Sequence, residues 1–388
     1  MPAFPIGAAA TLAELESDPH PLLARLRERE PVSWLPALGG WLVTRRDLAL
    51  EAMRDPGSFT VDDPRFSTGQ VVGRSMLTLD GAEHDRHRAP FARPFRLDAV
   101  RERFTDFVER ETDRLIDALE PGGGAELRRG LAGPLAAIVM ARVLGLEAVG
   151  VDAMLAWYDA IVDATSGLSA GRPVPPTGRE AARALRSTIE SMLDGDPRAS
   201  LVVAASRAGG LAPAEVSSGA AVLLFGGIET TEGMICNAVL QLLSHPDQLE
   251  LVLAERELLP NAIEESLRLE PAAASIDRYA TRDVELGGTG IEAGDLVTIS
   301  IAGANRDPAS FPEPDRFDVR RHNAGRHVAF AGGPHVCIGM HLARLETRTA
   351  VARLLERLPG LRLDAERPRA PRGLIFRKPP ALHVLWGG

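Results

Sequence analysis

The chain has 388 residues, 45% of them hydrophobic and 25% charged, which suffices for one large or two medium globular domains and excludes a disordered chain. Acidic residues outnumber basic ones by 53 to 44, and this net charge of −9 argues against nucleic acid as a partner. Only one basic residue, Lys378, is a lysine, so any positive patch must be built from arginine.

The cysteines and the apolar runs predict the cellular compartment of the protein. Two cysteines, Cys236 and Cys337, are too few for a disulfide framework, a four-thiolate zinc site or an iron–sulfur cluster. The N-terminal residues lack the basic and apolar regions of a signal peptide, and the uninterrupted apolar runs are shorter than the roughly 20 residues of a membrane span. We therefore expect a reduced, cytoplasmic protein with no membrane contact.

In chain order, the element signals predict a mainly helical chain with small β-sheets. A helix near residues 21–30 precedes a hairpin of 32–36 and 41–44, and another helix follows from Asp47. Helical periodicity dominates from about 80 to 269, with breaks at 121–124, 171–178 and 209–210. Strand signals at 284–286 and 296–301 predict one hairpin, and further strands are expected around 374–385.

These signals predict a single domain over residues 1–388. Its β-rich parts are expected near 30–60, 284–301 and 372–388, and its helical parts near 80–270 and 339–358. Between the last strands lies an irregular segment, 304–330, that is long enough to be functional.

Cys337 lies in a glycine-rich loop, residues 330–339, that runs into a helix predicted over 340–358. Glycines let the backbone approach a flat, bulky group, and the unpaired N–H groups of a helix N-terminus favour a thiolate. A buried, inert cysteine is the alternative interpretation. A phosphate loop would need Lys or Ser/Thr after the glycines, and a zinc site using His335, Cys337 and His341 would lack a fourth ligand.

A thiolate on a glycine-rich loop also suits a haem iron, and here the sequence resembles the cytochrome P450 superfamily. That family's haem-binding signature is Phe, two residues, Gly, any residue, His or Arg, any residue, Cys, any residue, Gly. Phe330, Gly333, His335, Cys337 and Gly339 occupy these positions. The resemblance implies a helical triangular prism that encloses haem b, a minor β-rich region, and Cys337 as the axial ligand of the iron. The position after Phe330 is commonly Gly or Ser in the family and is Ala331 here.

A second motif, Phe225-Gly226-Gly227-Ile228-Glu229-Thr230-Thr231, lies within a long apolar helical stretch. Two glycines there cost about 1 kcal/mol each relative to Ala, so we expect a locally widened helix that exposes a carbonyl groove. The motif resembles the family's Ala/Gly-Gly-x-Asp/Glu-Thr segment. The resemblance implies that Thr230 hydrogen-bonds at the oxygen site and that Glu229, partly exposed, relays protons. Packing of small residues against another helix, with Glu229 solvated, is the alternative.

Glu265 and Arg268 are spaced to share one helix face. Alone this spacing is weak, but it resembles the family's Glu-x-x-Arg helix because Arg278 and Asn305-Arg306-Asp307-Pro308 follow in the family's order. The resemblance implies a structural role and a third charged partner. We expect Arg316 to be that partner, with Arg321 as the alternative.

Four residues resemble the family's partners for the haem propionates, and buried propionates must be neutralised. His84 and Arg88, four residues apart on a helix, could jointly bind one carboxylate. The resemblance adds Arg278 and His335. Substrate contacts are expected, by motif position only, at Val222, Phe225, Gly226, Ala274, Ser275, Ile276, Leu374 and Ile375.

The resemblance implies a soluble, bacterial-type haem-thiolate monooxygenase that inserts one oxygen atom from O2 into a small hydrophobic substrate. No flavin or nicotinamide fingerprint is present, so electrons from NAD(P)H are expected to arrive through a ferredoxin reductase and a ferredoxin. Arg86, Arg96, Arg326 and Arg344 could form the docking patch. The alternatives are an enzyme of the same fold that uses peroxide directly and a haem-binding sensor without oxidative chemistry.

Overall fold

The computed structural model describes residues 4–169, 171–195, 200–367 and 370–387. The helices of these segments are α1 (Pro5–Ala9), α2 (Leu12–Ser17), α3 (His20–Arg29), α4 (Arg46–Arg54), α5 (Ser67–Val72), α6 (Gly81–Ala92), α7 (Leu97–Leu119), α8 (Gly133–Leu144), α9 (Val151–Ser169), α10 (Pro176–Met192), α11 (Leu201–Arg207), α12 (Pro213–Ser244), α13 (Pro246–Ala254), α14 (Leu259–Leu269), α15 (Ile301–Ala304) and α16 (Met340–Arg357). The strands are β1 (Val32–Leu35), β2 (Gly40–Val43), β3 (Phe59–Thr60), β4 (Gly124–Glu126), β5 (Ser275–Ala280), β6 (Val284–Leu286), β7 (Thr289–Ile291), β8 (Leu296–Ser300), β9 (Arg362–Leu363) and β10 (His383–Leu385).

The main sheet has five strands in the order β1-β2-β8-β5-β3. β1 and β2 form the predicted N-terminal hairpin, with Val32 opposite Val43, and Gly39 occupies the left-handed region in its turn. β2 pairs in parallel with β8, and β8 pairs antiparallel with β5. The sheet therefore joins the N-terminal part of the chain to the segment that follows α14.

The second predicted hairpin, 284–286 with 296–301, is wrong. β6 pairs with β7, because Gly287 and Gly288 take positive φ and turn the chain back at once, whereas β8 lies in the main sheet. Five strands of the described residues were not predicted: β3, β5, β7, β9 and β4. The last of these pairs with β10 in a three-stranded sheet that also contains β9. β4 falls in a glycine-rich segment that reads as a turn.

Helix α12 forms the centre of the largest hydrophobic core and packs against α8, α10, α14 and α16. By length and hydropathy it could cross a membrane, but 83% of its most apolar window is buried inside the protein. It therefore behaves as the core helix of a globular fold. Two smaller cores lie between the main sheet and α4 and around α2 and α3.

Candidate active site

A cavity lies between α12 and the loop that carries Cys337. Water-molecule centres can occupy about 300 Å³ of it. Its walls come from α5, α8, α9, α12, β5, the 329–339 loop, α16 and the C-terminal segment. The elements thus bring both glycine-rich motifs, which are about 110 residues apart in the chain, to one enclosed space.

The loop before α16 presents Cys337 to this cavity. The Cys337 amide donates to the carbonyl of Phe330, which closes the loop. Gly333 takes a φ of 68°, and a Cβ there would lie 2.4 Å from the carbonyl oxygen of Met53, so only glycine fits. Ala331 also has a positive φ, 58°, which is unfavourable for a residue with a Cβ. The departure from Gly or Ser at this position therefore costs the loop some strain.

Cys337 is a solvent-accessible residue, and it lines the cavity. Burial raises the pKa of the Cys337 thiol, and hydrogen bonds from the Gly339 and Met340 amides oppose this shift. The amide donors expected at the helix N-terminus are thus present, but in the free chain they do not outweigh burial. A coordinating metal ion removes the thiol proton outright. Among the described residues no three His, Cys, Asp or Glu side chains cluster as a metal site, which leaves the zinc interpretation without support.

Three of the four expected propionate partners, Arg88, Arg278 and His335, line the cavity, and His84 packs against His335 behind them. The His84 and His335 rings lie 4.6 Å apart, and His335 Nε2 is 2.7 Å from Asp80 Oδ1. Arg88 donates to the carbonyl of Val336 at 2.7 Å. Arg278 is buried on β5, and among the described residues it donates only to the carbonyl of its neighbour Asp277. Burial lowers the pKa of Arg278 to about 10.

These residues fit a dianionic, planar cofactor. His84 Nε2 is buried without a hydrogen-bond partner among the described residues, and Arg278 has no carboxylate within 4 Å there. Buried donors without partners are costly, so a ligand carboxylate would satisfy them. Together with the Cys337 sulfur and the mainly apolar walls, the donor set suits haem, as expected from the sequence.

Thr230 and the two glycines of α12 lie at the opposite wall. Thr230 lines the cavity, and its hydroxyl donates to the carbonyl of Gly226 at 2.6 Å. A Cβ on Gly226 would meet nothing within 4 Å, whereas a Cβ on Gly227 would lie 2.4 Å from Met140 Sδ. The expected widening of the helix is wrong, because α12 is regular throughout. Gly226 leaves space in the cavity, and Gly227 lets α8 approach.

The sequence analysis expects Glu229 to be partly exposed, and this expectation is wrong. Glu229 is buried, and it does not line the cavity. Its side chain is 3% exposed, and Oε2 accepts hydrogen bonds from Lys378 Nζ at 2.7 Å and from the Tyr158 hydroxyl. Burial and the neighbouring Glu229 raise the pKa of Tyr158 far above its usual range. The solvated alternative is equally wrong. The signal that sequence reasoning missed is Lys378, the chain's one lysine.

The Glu265–Arg268 pair is fully buried, with Arg268 Nε 2.7 Å from Glu265 Oε2. Arg321, not Arg316, supplies the third charge, since Arg321 Nε lies 2.9 Å from Glu265 Oε1. The Arg316 side chain is 57% exposed and contacts Glu313, while its carbonyl accepts from Arg268 and Arg321. The expectation for Arg316 is therefore wrong and its alternative right. The pair also binds the Asn305 and Pro314 carbonyls and so fixes the irregular segment before Cys337.

Six of the eight expected substrate contacts line the cavity: Val222, Phe225, Gly226, Ser275, Ile276 and Ile375. Ala274 and Leu374 do not, because they turn towards the small core around α2 and α3. Ala273, next to Ala274, and Phe376, two residues after Leu374, also line the cavity. Residues without a sequence signal also contribute, notably Phe66, Ser67, Thr68 and Thr165.

Comparison with known proteins agrees with this geometry. The model of the family described as Cytochrome P450 matches residues 186–384. Cytochrome P450 monooxygenase PikC of Streptomyces venezuelae is 36% identical, covering 99% of this chain and 93% of that protein. The chain belongs to the cytochrome P450 family. It is a monooxygenase of this family, as its named relatives are, and it has the family's mainly helical fold with small sheets.

Two further relatives extend the P450 comparison. The 20-oxo-5-O-mycaminosyltylactone 23-monooxygenase of Streptomyces fradiae is 36% identical over 87% of this chain and 82% of that protein. The structure of myxobacterial cytochrome P450 CYP267B1 in complex with myristic acid superposes with a TM-score of 0.87, at 30% identity, covering 100% of both chains. The sequence resemblance is thus confirmed at the level of family and fold.

Proposed function

We propose that this P450 oxidises a neutral, largely apolar organic molecule of secondary metabolism by inserting one oxygen atom from O2. The observation that carries the proposal is the cavity that has the Cys337 sulfur in one wall and Thr230 and the open face of Gly226 in the other. A haem-thiolate centre supplies oxygen activation when it is bound. The side chains of the protein supply binding, orientation and protons.

Five side chains would hold the cofactor. Cys337 would provide the thiolate ligand, and His84, Arg88, Arg278 and His335 would bind the two carboxylates. Asp80 orients His335: burial raises the pKa of Asp80, but hydrogen bonds from His335, Thr60 and the Val61 amide lower it to about 2. Asp80 therefore stays ionised and holds the imidazole in place.

Thr230 is the residue best placed to act on oxygen chemistry. Its hydroxyl lies at the cavity wall and donates its one hydrogen to the Gly226 carbonyl. Once that hydrogen turns into the cavity, the oxygen can accept a proton as the hydroxyl passes on its own. Glu229, one residue earlier, is the nearest carboxylate on α12 but points away from the cavity. It would relay protons to Thr230 only after its contact with Lys378 changes.

The lining of the cavity supports a neutral substrate. Its charged side chains are Arg88, Asp277, Arg278 and Glu346, with His335 as the titratable neighbour, and Arg88, Arg278 and His335 belong to the cofactor side. The remaining polar lining residues carry hydroxyls, and they lie among apolar groups: Ser67, Thr68, Thr165, Thr230, Thr231 and Ser275. Such a surface binds carbonyl- or hydroxyl-bearing apolar molecules. The names of two relatives, a mycaminosyltylactone monooxygenase and a 6-deoxyerythronolide B hydroxylase, fit a substrate that bears carbonyl or hydroxyl groups.

Electrons would come from NAD(P)H through a separate reductase and ferredoxin. The four arginines expected at the docking face are less available than the sequence suggested. Arg86 is paired with Glu83 and Glu215, Arg344 with Glu264, and Arg96 lies 3.7 Å from Asp98. Arg326 keeps its side chain free of carboxylates among the described residues. We propose that docking relies on Arg326 together with the exposed Val336 and Leu97, so its salt dependence should be moderate.

The test of this function is spectroscopic and kinetic. The reduced, carbon-monoxide-treated protein should show the far-shifted band of a thiolate-bound haem, and Cys337→Ser should lose that band while Cys236→Ser keeps it. Turnover supported by ferredoxin and reductase should exceed turnover with hydrogen peroxide. A colourless protein after haem supplementation would refute the function, and faster turnover with peroxide would identify the peroxide-using alternative.

A further inference from the structure

The single lysine stands in a buried network that joins four parts of the fold. Lys378 Nζ lies 2.7 Å from Glu229 Oε2, 3.0 Å from Glu232 Oε1 and 2.7 Å from the Tyr158 hydroxyl. Arg128 also contacts Glu232. Arg129 Nη1 lies 3.8 Å from Glu232 Oε2, which is an ion-pair distance but not a hydrogen bond. Three cations thus face two carboxylates, so the ammonium can change carboxylate partner without leaving an uncompensated negative charge.

Lys378 is mechanically tied to the cavity wall. Phe376 and Lys378 are two residues apart in an extended segment, where both form β-bridges, to Ala273 and Arg372. Alternate residues of an extended chain share a face, and Arg377 between them turns the other way, to Glu270. Phe376 therefore points into the cavity from the same face that carries Lys378 to Glu229.

Helix α12 presents a matching pair. Phe225 and Glu229 are four residues apart, which places them on one helix face about 6 Å apart along the axis. This spacing equals the roughly 6.6 Å between alternate residues of a strand. The Phe225 and Phe376 rings make an edge-to-face contact at 5.7 Å, and the Glu229–Lys378 ion pair lies beside it. A ligand that displaces Phe376 must also strain the ion pair.

The network holds a second position for the ammonium. Glu232 Oε2 is buried and has no hydrogen-bond partner among the described residues. An unsatisfied buried carboxylate oxygen is costly, so an incoming N–H donor would be favoured there. Moving towards Glu232 would keep Lys378 paired while Glu229 retains its hydrogen bond from Tyr158.

We propose that Lys378 is a positioning residue with two positions, and that a substrate pressing on Phe376 shifts its ammonium from Glu229 to Glu232. This inference rests on the proposed function and adds a control to it. With Lys378 on Glu229, the carboxylate is held away from the cavity. With Lys378 on Glu232, the Glu229 carboxylate takes up a proton from hydronium of the solvent and gives it to the Thr230 oxygen as the Thr230 hydroxyl passes its own proton into the cavity, so both side chains end unchanged. Proton delivery is thereby linked to occupation of the cavity by a molecule large enough to reach Phe376.

The link between a ligand at Phe376 and the position of Lys378 can be tested by the binding of two ligands of different size, with no need for catalytic turnover. Clotrimazole, which is bulky, and 4-phenylimidazole, which is small, both bind haem iron and shift its absorption spectrum. In Lys378→Met the pair that a bulky ligand must break is absent, so clotrimazole should bind at least about fivefold tighter, the low end of coupling between sites. The affinity for 4-phenylimidazole should not change.

Glu232→Gln should change clotrimazole affinity in the opposite direction, because the neutral amide binds the Lys378 ammonium more weakly than the carboxylate does. Clotrimazole should then bind at least about fivefold more weakly, again without a change for 4-phenylimidazole. This variant decides the matter if Lys378→Met does not fold. Arg372→Met removes an exposed cation from the same hairpin and should alter neither affinity.

If the affinities for clotrimazole and 4-phenylimidazole change by the same factor in Lys378→Met, the proposal is overturned and Lys378 is a purely structural residue. If Lys378→Met does not fold, the same result in Glu232→Gln overturns it. That result differs from a failure of the proposed function. If the wild type has no thiolate-type carbonyl band and binds neither azole, the function itself fails. If the wild type shows the band and binds both azoles, only the role of Lys378 is in question.

Discussion

At the scale of single residues, neighbours in sequence have separate tasks because a helix turns about 100° per residue. Thr230 faces the cavity, whereas Glu229 faces Tyr158 and Lys378. The sequence motif correctly brings Thr230 to the cavity, but a motif contains no information about the lysine 149 positions later that captures the carboxylate. The direction of Glu229 could therefore not be predicted from local pattern.

Removal of the Thr230 hydroxyl should uncouple the enzyme. In Thr230→Ala, NAD(P)H should still be consumed through ferredoxin, while product formed per NAD(P)H falls at least about tenfold and hydrogen peroxide replaces it, because a positioned proton donor is lost. Thr230→Ser keeps the hydroxyl and should remain largely coupled. Unchanged product yield in Thr230→Ala would assign proton delivery elsewhere.

The two arginines of the irregular segment form a matched pair for a stability test. Arg321→Gln leaves the buried Glu265 with one cation fewer and should lower the free energy of unfolding by about 3 kcal/mol or more. Arg316→Gln alters an exposed side chain and should stay within about 0.5 kcal/mol of wild type. Urea unfolding measures both, and equal losses would contradict the assignment of Arg321.

At the scale of elements, strong local signals predicted structure well and partner choice less well. The N-terminal hairpin and helix α16 fall within one or two residues of their predicted bounds, because turn glycines and helix breakers mark them. β5 was not predicted, since its residues become a strand only by pairing with β8 and β3. The charged partner of Glu265 was equally undetermined, because two arginines lie close together in the same loop.

Gly226 and Gly227 separate cavity volume from helix packing on α12. Both substitutions to Ala gain the same helix propensity, so the difference between them isolates the steric term. Gly227→Ala should be about 1–3 kcal/mol less stable than Gly226→Ala, because its Cβ meets Met140 across the α8 contact. Gly226→Ala should instead weaken binding of bulky cavity ligands. Thermal unfolding and azole titration of both variants provide the comparison, and equal stabilities would show that Met140 moves aside freely.

At the scale of the whole molecule, buried ion pairs connect helices, loops and the C-terminal segment, and they predict sensitivity to acid. Burial raises the pKa of Glu264, but bonds from Arg344 and His327 lower it from 4.5 to about 2. Glu270 shows the same balance. Burial raises the pKa of Glu270, but His20, Arg377 and Arg306 lower it to about 2. A carboxylate with a lowered pKa stabilises the folded state above its unfolded pKa and loses that contribution as pH falls towards the folded one.

Stability should therefore fall steeply between about pH 4.5 and pH 2. In Glu264→Gln the free energy of unfolding should be lower by up to about 3 kcal/mol at pH 7. The difference from wild type should shrink over the same interval of pH. Urea unfolding at pH 7, 4 and 3 measures it, and a difference that is independent of pH would mean that Glu264 is not held ionised by Arg344 and His327.

The burial of the chain's one lysine also governs how other molecules can modify this protein. With only 10% of the Lys378 side chain accessible and its ammonium enclosed by three acceptors, the folded enzyme offers no lysine amine to acetylating, ubiquitin-like or crosslinking chemistry. The other Lys/Arg residues are arginines, and reagents that react with amines do not modify guanidinium groups. A lysine adduct on this chain would therefore report that the molecule had opened.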